Sequence, residues 1–335
     1  MALKAVIIGG GVVGCITAIK LKENGYDVTL VDKSFVGEES SAAGAGIIFP
    51  LMPWNYESRV FDLCLGALSF YKNLSIKLIK AGFEDPEFIE SGMICIDPSD
   101  KKKIVQWGEK NNFTIKEYLF NNRPSYELAK VAQINPTKLM KSLKQYISRL
   151  GIELIENVNM RKIEKKSNYL DGWPTKNNEL IKGDFFVTTV GAWSSEINDD
   201  YKNKIYPIRG QIIRYPKSEI KLDKILYSEN FYLLQRKCGS ILAGSTIENV
   251  GFDKTVTAKA ANELNEKAIN LVPELRNFKP CKQWAGLRPG VKGNIPFIRQ
   301  DNNYKNVYIN SGHYRYGITM APKSANEVLK LIEDK

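Results

Sequence analysis

The sequence predicts a mixed α/β (α+β) fold in which a parallel-sheet domain is interleaved with a second domain of antiparallel sheet. Three observations predict it. Residues 5–32 read as strand, tight turn, helix and second strand without a gap. Apolar strand material returns at 184–190 and at 307–310, each time running into a glycine. Between these segments lie two blocks whose apolar residues have antiparallel character. The expected boundaries are 1–84, 136–204 and 290–335 for the first domain, and 85–135 with 205–289 for the second.

The first stretch, AVIIGGGVVGCITAIKLKENGYDVTLVD, carries the most specific local signal. Gly9, Gly11 and Gly14 fall at G-x-G-x-x-G spacing directly after an apolar strand. The first glycine permits a sharp turn, the second lets a pyrophosphate approach the backbone, and the third lets helix and strand pack closely. Free N–H groups at the helix N-terminus can meet the phosphate charge. Ala18 and Leu21 give the helix a buried face, and Val28 and Leu30 alternate into Asp32, 18 residues beyond Gly14. There a carboxylate can accept hydrogen bonds from a ribose diol. Together these features predict a Rossmann-like dinucleotide site.

After Asp32, small residues and glycine replace any regular period. Ser40, Ser41, Gly44, Ala45 and Gly46 either let backbone approach a large planar or phosphorylated ligand or form a flexible loop. Residues 59–81 read as one helix, with Phe61, Leu65, Leu68, Leu74 and Leu78 near helical spacing and Gly82 as its stop. Residues 88–96 read as two short strands around Ser91 and Gly92, and 100–126 is polar without a clear period. Asn135 and Pro136 open a helix to Leu150, because asparagine caps free N–H groups and proline suits the first helical position. Strands follow at 152–155 and 157–163, then a hairpin turn at Asp171 and Gly172, then the strand ending in Gly191-Ala-Trp-Ser-Ser195. Alternation at 211–215, 232–235 and 240–244 reads as the antiparallel wall of the second domain. Residues 256–271 form a helix, 286–290 a loop, and the chain closes with a helix to Ile332.

Length and composition exclude several classes of function. A chain of 335 residues with 43% hydrophobic content can bury an ample core. Cys15, Cys64, Cys95, Cys238 and Cys281 stand far apart with no C-x-x-C pair, so neither a zinc site nor a disulfide framework is expected. The first strand begins too early for a signal peptide, and no apolar run approaches the roughly 18 residues of a membrane span. The cytoplasm is therefore the expected location. A net charge of +11 raises nucleic acid or an anionic membrane as partners. The lysines are dispersed, however, so no nucleic-acid partner is expected and only a weak peripheral membrane contact stays open. A single histidine, His313, rules out multi-histidine metal sites and points to chemistry by a bound cofactor.

Five further segments stand in order behind the fingerprint: SSAAGAGIIFPLMPW (40–54), VGAWS (190–194), PIRGQ (207–211), WAGLRPG (284–290) and SGHYRYGITMAP (311–322). Together they resemble the D-amino acid oxidase superfamily of FAD enzymes, and within it most closely the glycine oxidase group. The resemblance implies that Gly9, Gly11, Val12, Val13 and Gly14 hold the FAD pyrophosphate, with Asp32 and Lys33 at the adenosine ribose. It places Ser40 and Ser41 at the phosphates, Gly44, Ala45, Gly46 and Ile47 at the flavin ring, and the backbone of Val158 at adenine. Gly191 and Trp193 border the cofactor. His313, Tyr314, Arg315, Tyr316, Gly317, Ile318 and Thr319 run along the flavin, with the last helix's N-terminus facing its pyrimidine end.

For substrate, Arg288 and Arg315 resemble the carboxylate-binding arginines of glycine oxidase, and Tyr232 its substrate-facing tyrosine. A planar guanidinium can grip a carboxylate through two parallel hydrogen bonds and so fix which face of the α-carbon meets the flavin. Ile247 aligns with a methionine lining the pocket and Tyr316 with an asparagine, which leaves the amine itself open. Trp284 aligns with the cysteine that attaches flavin in sarcosine oxidases, so non-covalent FAD is expected. The implied reaction takes a hydride from the α-carbon of glycine or a small D-amino acid. The imino acid is then hydrolysed to a keto acid and ammonia, with hydrogen peroxide formed if oxygen is the electron acceptor. A dehydrogenase feeding a quinone or carrier protein, and a non-catalytic FAD subunit of a larger complex, are the other readings, as is a homo-oligomer for the assembly. An NAD-dependent dehydrogenase fits the first 32 residues but leaves the C-terminal glycine-rich turn unexplained.

Overall fold

A computed structural model describes residues 2–164 and 168–334. Two large sheets organise it. The first has six strands in the order Phe297–Gln300, Val307–Ser311, Phe185–Thr188, Lys4–Ile8, Asp27–Val31 and Glu153–Ile155. All neighbours run parallel except the outermost pair, Phe297–Gln300 on Val307–Ser311. Its central strand, Lys4–Ile8, is apolar after its first residue, as a strand covered on both faces must be. The helix Val12–Glu23 packs between this sheet and the C-terminal helix Gly317–Glu333, so its sides are buried almost all round rather than along one stripe.

The second sheet has eight strands: Lys282–Gly290, Tyr206–Tyr215, Ile241–Gly244, Phe231–Gln235, Ile225–Ser228, Met93–Ile96, Arg123–Leu128 and Ile115–Phe120. It is antiparallel throughout except where Ile225–Ser228 meets Met93–Ile96. Every one of its strands comes from 93–128 or 206–290, and every strand of the first sheet comes from outside those spans. Among the described residues no helix is long and apolar enough to cross a membrane.

Several local expectations need correction. The helix expected over 59–81 is two, Ser58–Cys64 and Ala67–Lys80, because Gly66 takes φ 80° and redirects the chain. The segment 286–290 is no loop: it completes the strand Lys282–Gly290, which pairs along its full length with Tyr206–Tyr215. That strand lies at the sheet edge, where a proline such as Pro289 is tolerated. Gly172 belongs to the strand Gly172–Pro174, and the hairpin to Leu180–Lys182 turns instead around Asn178 at φ 66°. Residues 157–163 form no strand, only a bridge from Met160 to Thr175. In 88–96 the strand is Met93–Ile96, with Ile89 making a single bridge to Gln133. The unassigned stretch 100–126 contains the helix Lys101–Lys110, capped by the Asp100 side chain, and a hairpin of antiparallel strands. The helix Pro136–Arg149 begins as expected, with the Asn135 side chain accepting from Lys138 N–H.

Candidate active site

A cavity of about 740 Å³ runs from the C-terminal ends of the parallel strands to the face of the eight-stranded sheet. Such a crevice, where the strand order reverses direction on either side of Lys4–Ile8, is where open α/β sheets bind ligands. Its first wall is backbone. Gly9 has φ +110°, and a Cβ there would lie 2.7 Å from the Thr189 carbonyl. A Cβ on Gly14 would lie 1.9 Å from the Gly9 oxygen, so this glycine sits behind the cavity and sets how closely helix and strand approach. The first helical turn contains no acidic residue, which leaves its positive dipole end open to an anion. Asp32 holds the turn from below: its carboxylate accepts from Gly10 N–H at 2.6 Å and from Ser34 N–H at 2.8 Å.

Residues 40–46 form the second wall. The Ser41 hydroxyl oxygen accepts from Val12 N–H at 2.9 Å, and the Ser40 hydroxyl donates to the Leu287 carbonyl. Gly46 at φ +71° packs on the Ile134 carbonyl. Trp284 donates its indole N–H to the Ala43 carbonyl at 2.9 Å. Buried Arg236 donates to the carbonyls of Ala45 and Ile134 at 2.7 and 3.0 Å and to Gln133 Oε1 at 3.1 Å. Burial lowers the Arg236 pKa to about 10.

At one end of the cavity Val158 donates its N–H to the Asp32 carbonyl at 3.0 Å. Beside it the Lys33 ammonium sits 3.6 Å from the centre of the Trp193 ring, which stacks on Phe252. Burial also holds the Lys33 pKa below its ordinary value. At the other end stand Arg288, Tyr232, Arg315, Asn230 and Tyr316. The Arg288 guanidinium donates to Ser245 Oγ at 2.6 Å and to the Thr246 carbonyl at 3.1 Å, both neutral partners. Burial pushes its pKa down, and burial pushes that of neighbouring Tyr232 up. Arg315 donates to Asn230 Oδ1 at 2.9 Å, and Tyr316 donates to the Leu51 carbonyl at 3.1 Å.

The structure thus gathers most of the expected residues around one cavity. Gly9, Gly11, Val12, Val13, Asp32, Lys33, Ser40, Ser41, Gly44 to Ile47, Val158, Gly191, Trp193, Tyr232, Arg288 and His313 to Ile318 all line it. Three do not. Gly14 packs behind Gly9, and Thr319 is buried one layer back, donating to the Ile47 carbonyl at 3.2 Å. Ile247 is 47% exposed and points away. The chain around it alternates: Thr246 accepts from Gln211 N–H and Glu248 pairs with Arg209, which turns Ile247 outward. Gly210, Asn230, Ser245 and Arg236 escaped the sequence reading. Only Gly210, inside the PIRGQ segment, carried a signal that could have found it.

The walls suit a flavin dinucleotide. The glycine turn would be filled by any Cβ, and the helix end is open to phosphate. His313, buried and without a hydrogen-bond partner on Nε2, lines the cavity with its pKa pushed by burial down to about 3, so it stands as a neutral imidazole. Among the described residues that line the cavity there is no cysteine.

The comparisons with known proteins agree with that geometry. Residues 4–331 match the family described as FAD dependent oxidoreductase. The chain is 32% identical to glycine oxidase of Pseudomonas aeruginosa, covering 100% of this chain and 96% of that one. It is 31% identical to glycine oxidase of Pseudomonas putida, covering 97% and 93%. Its fold matches the crystal structure of glycine oxidase from Geobacillus kaustophilus with a TM-score of 0.89 at 20% identity, covering 100% and 96%. The glycine cradle, the open helix end and a match spanning nearly every residue lead to one conclusion: the chain belongs to the D-amino acid oxidase family of FAD-dependent oxidoreductases, and its cofactor is FAD.

Proposed function

We propose that the protein oxidises glycine or a small D-amino acid at its Cα–N bond, yielding an imino acid that water converts to a keto acid and ammonia. The observation that carries this reading is Arg288: a half-buried guanidinium whose hydrogen-bond partners in the protein are all neutral, facing the cavity beside Tyr232. A buried cation is costly unless paired, and a substrate carboxylate supplies the missing charge through two parallel hydrogen bonds. Arg315, held by Asn230, adds a second positive group on the same side.

Bound FAD supplies the hydride acceptor. The chain's own residues do the holding and orienting. The helix N-terminus after Gly11 and the Ser41 hydroxyl, which already holds the Val12 N–H, would take the pyrophosphate with Ser40 beside them, and Asp32 and Lys33 would take the adenosine ribose and its surroundings. Because the Val158 N–H is already donated to Asp32, its contact with adenine falls to the carbonyl. Ala45 to Ile47 and His313 to Ile318 flank the ring, and the N-terminus of Gly317–Glu333 stabilises negative charge there. The amine must be neutral to react, so no general base is assigned, and the neutral His313 supports the loop. Non-covalent FAD is the reading that Trp284 supports, since it stands where sarcosine oxidases carry the attaching cysteine.

The same reading places the domain boundaries at 1–84, 136–204 and 290–335 for FAD and at 85–135 with 205–289 for substrate, in keeping with the origin of the strands in each sheet. It also takes the cytoplasm as the location. A second reading, in which electrons pass to a quinone or carrier protein rather than oxygen, is favoured by exposed Ile247, Val250 and Phe252, the last stacked on Trp193, and by the charge of +11.

The test is anaerobic mixing of the holoenzyme with glycine, sarcosine, D-alanine, D-proline and bulkier D-amino acids while following flavin absorbance. Bleaching by a small member supports the proposal. Failure of every amine to bleach the flavin overturns it. Fast recolouring in air identifies oxygen as acceptor, and slow recolouring favours the second reading.

A further inference from the structure

Arg288 lies on the edge strand Lys282–Gly290, directly opposite Ile208 in the register with Tyr206–Tyr215. Gly210 is two residues further along the partner strand, so the two share a face as diagonal neighbours. The contact is close enough to exclude any side chain. A Cβ built on Gly210 would stand 2.1 Å from Arg288 Nη1, 2.2 Å from Nη2 and 2.3 Å from Cζ. The two terminal nitrogens are the nearest atoms, so the Nη1–Nη2 end of the guanidinium occupies the space that a side chain at 210 would fill. Each terminal nitrogen is also held by the neighbouring strand end, Nη1 donating to the Thr246 carbonyl and Nη2 to Ser245 Oγ. With one hydrogen bond spent from each terminal nitrogen and the Gly210 backbone against that end, the N–H directions left for a carboxylate are few. Gly210 itself borders the cavity at this point.

We propose that Gly210 is a positioning residue for the oxidation: the absence of its side chain seats the Arg288 plane, and through it the substrate carboxylate. This rests on the reading of Arg288 as the carboxylate anchor. Any Cβ at 210 lifts or tilts the fork, and displacement of a substrate-holding group by about 1 Å can cost about 100-fold in rate. The cofactor contacts lie on other elements and are left in place.

The experiment is a double-mutant cycle on the holoenzyme with whichever small amine bleaches the flavin. Gly210→Ala is expected to lower kcat/KM by about 100-fold with its FAD content unchanged. In an Arg288→Lys background, where no planar fork rests on the strand, adding Gly210→Ala changes kcat/KM by no more than about twofold. Full additivity of the two losses, or a harmless Gly210→Ala, overturns the inference. If Arg288→Lys by itself leaves kcat/KM unchanged, it is the anchor reading that fails, and the two failures are thereby separate. Should Gly210→Ala fold poorly, melting curves decide. Removing the guanidinium makes room for the Cβ, so Gly210→Ala/Arg288→Ala should melt with Arg288→Ala. A double variant that stays less stable than Arg288→Ala shows that the glycine serves the sheet and not the arginine.

Discussion

The two ends of the cavity are built on opposite plans. At one end, lined by the contiguous stretch 8–47, the wall is mostly backbone, set by glycines of which Gly9, Gly14 and Gly46 have no room for a Cβ. At the end proposed for the substrate the lining groups are side chains, Tyr232, Arg288, Arg315 and Tyr316, carried on three separate segments and held by Asn230, Ser245 and Leu51. A diphosphate is recognised by chain path, which local sequence dictates. The proposed small amino acid would be recognised by a few long side chains, whose aim depends on neighbours distant in sequence.

That contrast predicts that damage at the first end removes the cofactor and damage at the second spares it. The largest effect is expected from Gly14→Val, because its Cβ would stand 1.9 Å from a backbone oxygen that cannot move aside. It should cost about 3 kcal/mol of stability and leave a colourless protein, as urea denaturation and the flavin-to-protein absorbance ratio will record. A yellow, stable Gly14→Val protein would break the comparison. Next, Arg288→Ala should keep its flavin yet lose on the order of 3 to 5 kcal/mol in substrate interaction, read as kcat/KM. Loss of flavin together with activity would mean that the two ends are not separable.

His313 tests the seam between them. Its imidazole is held neutral by burial, with a pKa near 3 in the folded protein against an ordinary 6.5. The unfolded chain therefore binds a proton that the folded one refuses. The sign follows: stability is complete above pH 6.5 and falls as pH drops toward 3, by about 2 kcal/mol at pH 5. Replacing this single histidine by glutamine should flatten that slope, measured as melting temperature against pH; an unchanged slope would mean that His313 is not buried neutral. The smallest effect is expected at Trp193. Trp193→Leu removes the ring over which the Lys33 ammonium sits, and should weaken FAD binding by about 1 kcal/mol, roughly fivefold in titration.

The same contrast explains what could be read from the chain beforehand. The glycine turn and the cap at Asn135 rest on contacts within a few residues or on fixed spacing, and both form in the structure where expected; Asp32 lines the cavity, with its carboxylate accepting from Gly10 and Ser34. The segment 286–290 looked like a loop because glycine and proline are turn-formers; its partner strand, some 80 residues earlier, makes it an edge strand. Ile247 looked like pocket lining by alignment, but the pairing of Arg209 with Glu248 turned it to solvent. Arg236 gave no signal at all, since its three acceptors lie on segments that meet only in the folded chain.

The sequence by itself determined that a dinucleotide is bound, that two sheets of different character are interleaved, and that metal chemistry by clustered histidines is absent. Composition and short-range spacing suffice for such statements. Tertiary structure alone decided which way the Arg288 fork faces, what it rests on, and which residues of the second sheet border the cavity. Those depend on strand register, and register is settled by the packing of whole sheets and not by any short stretch of chain.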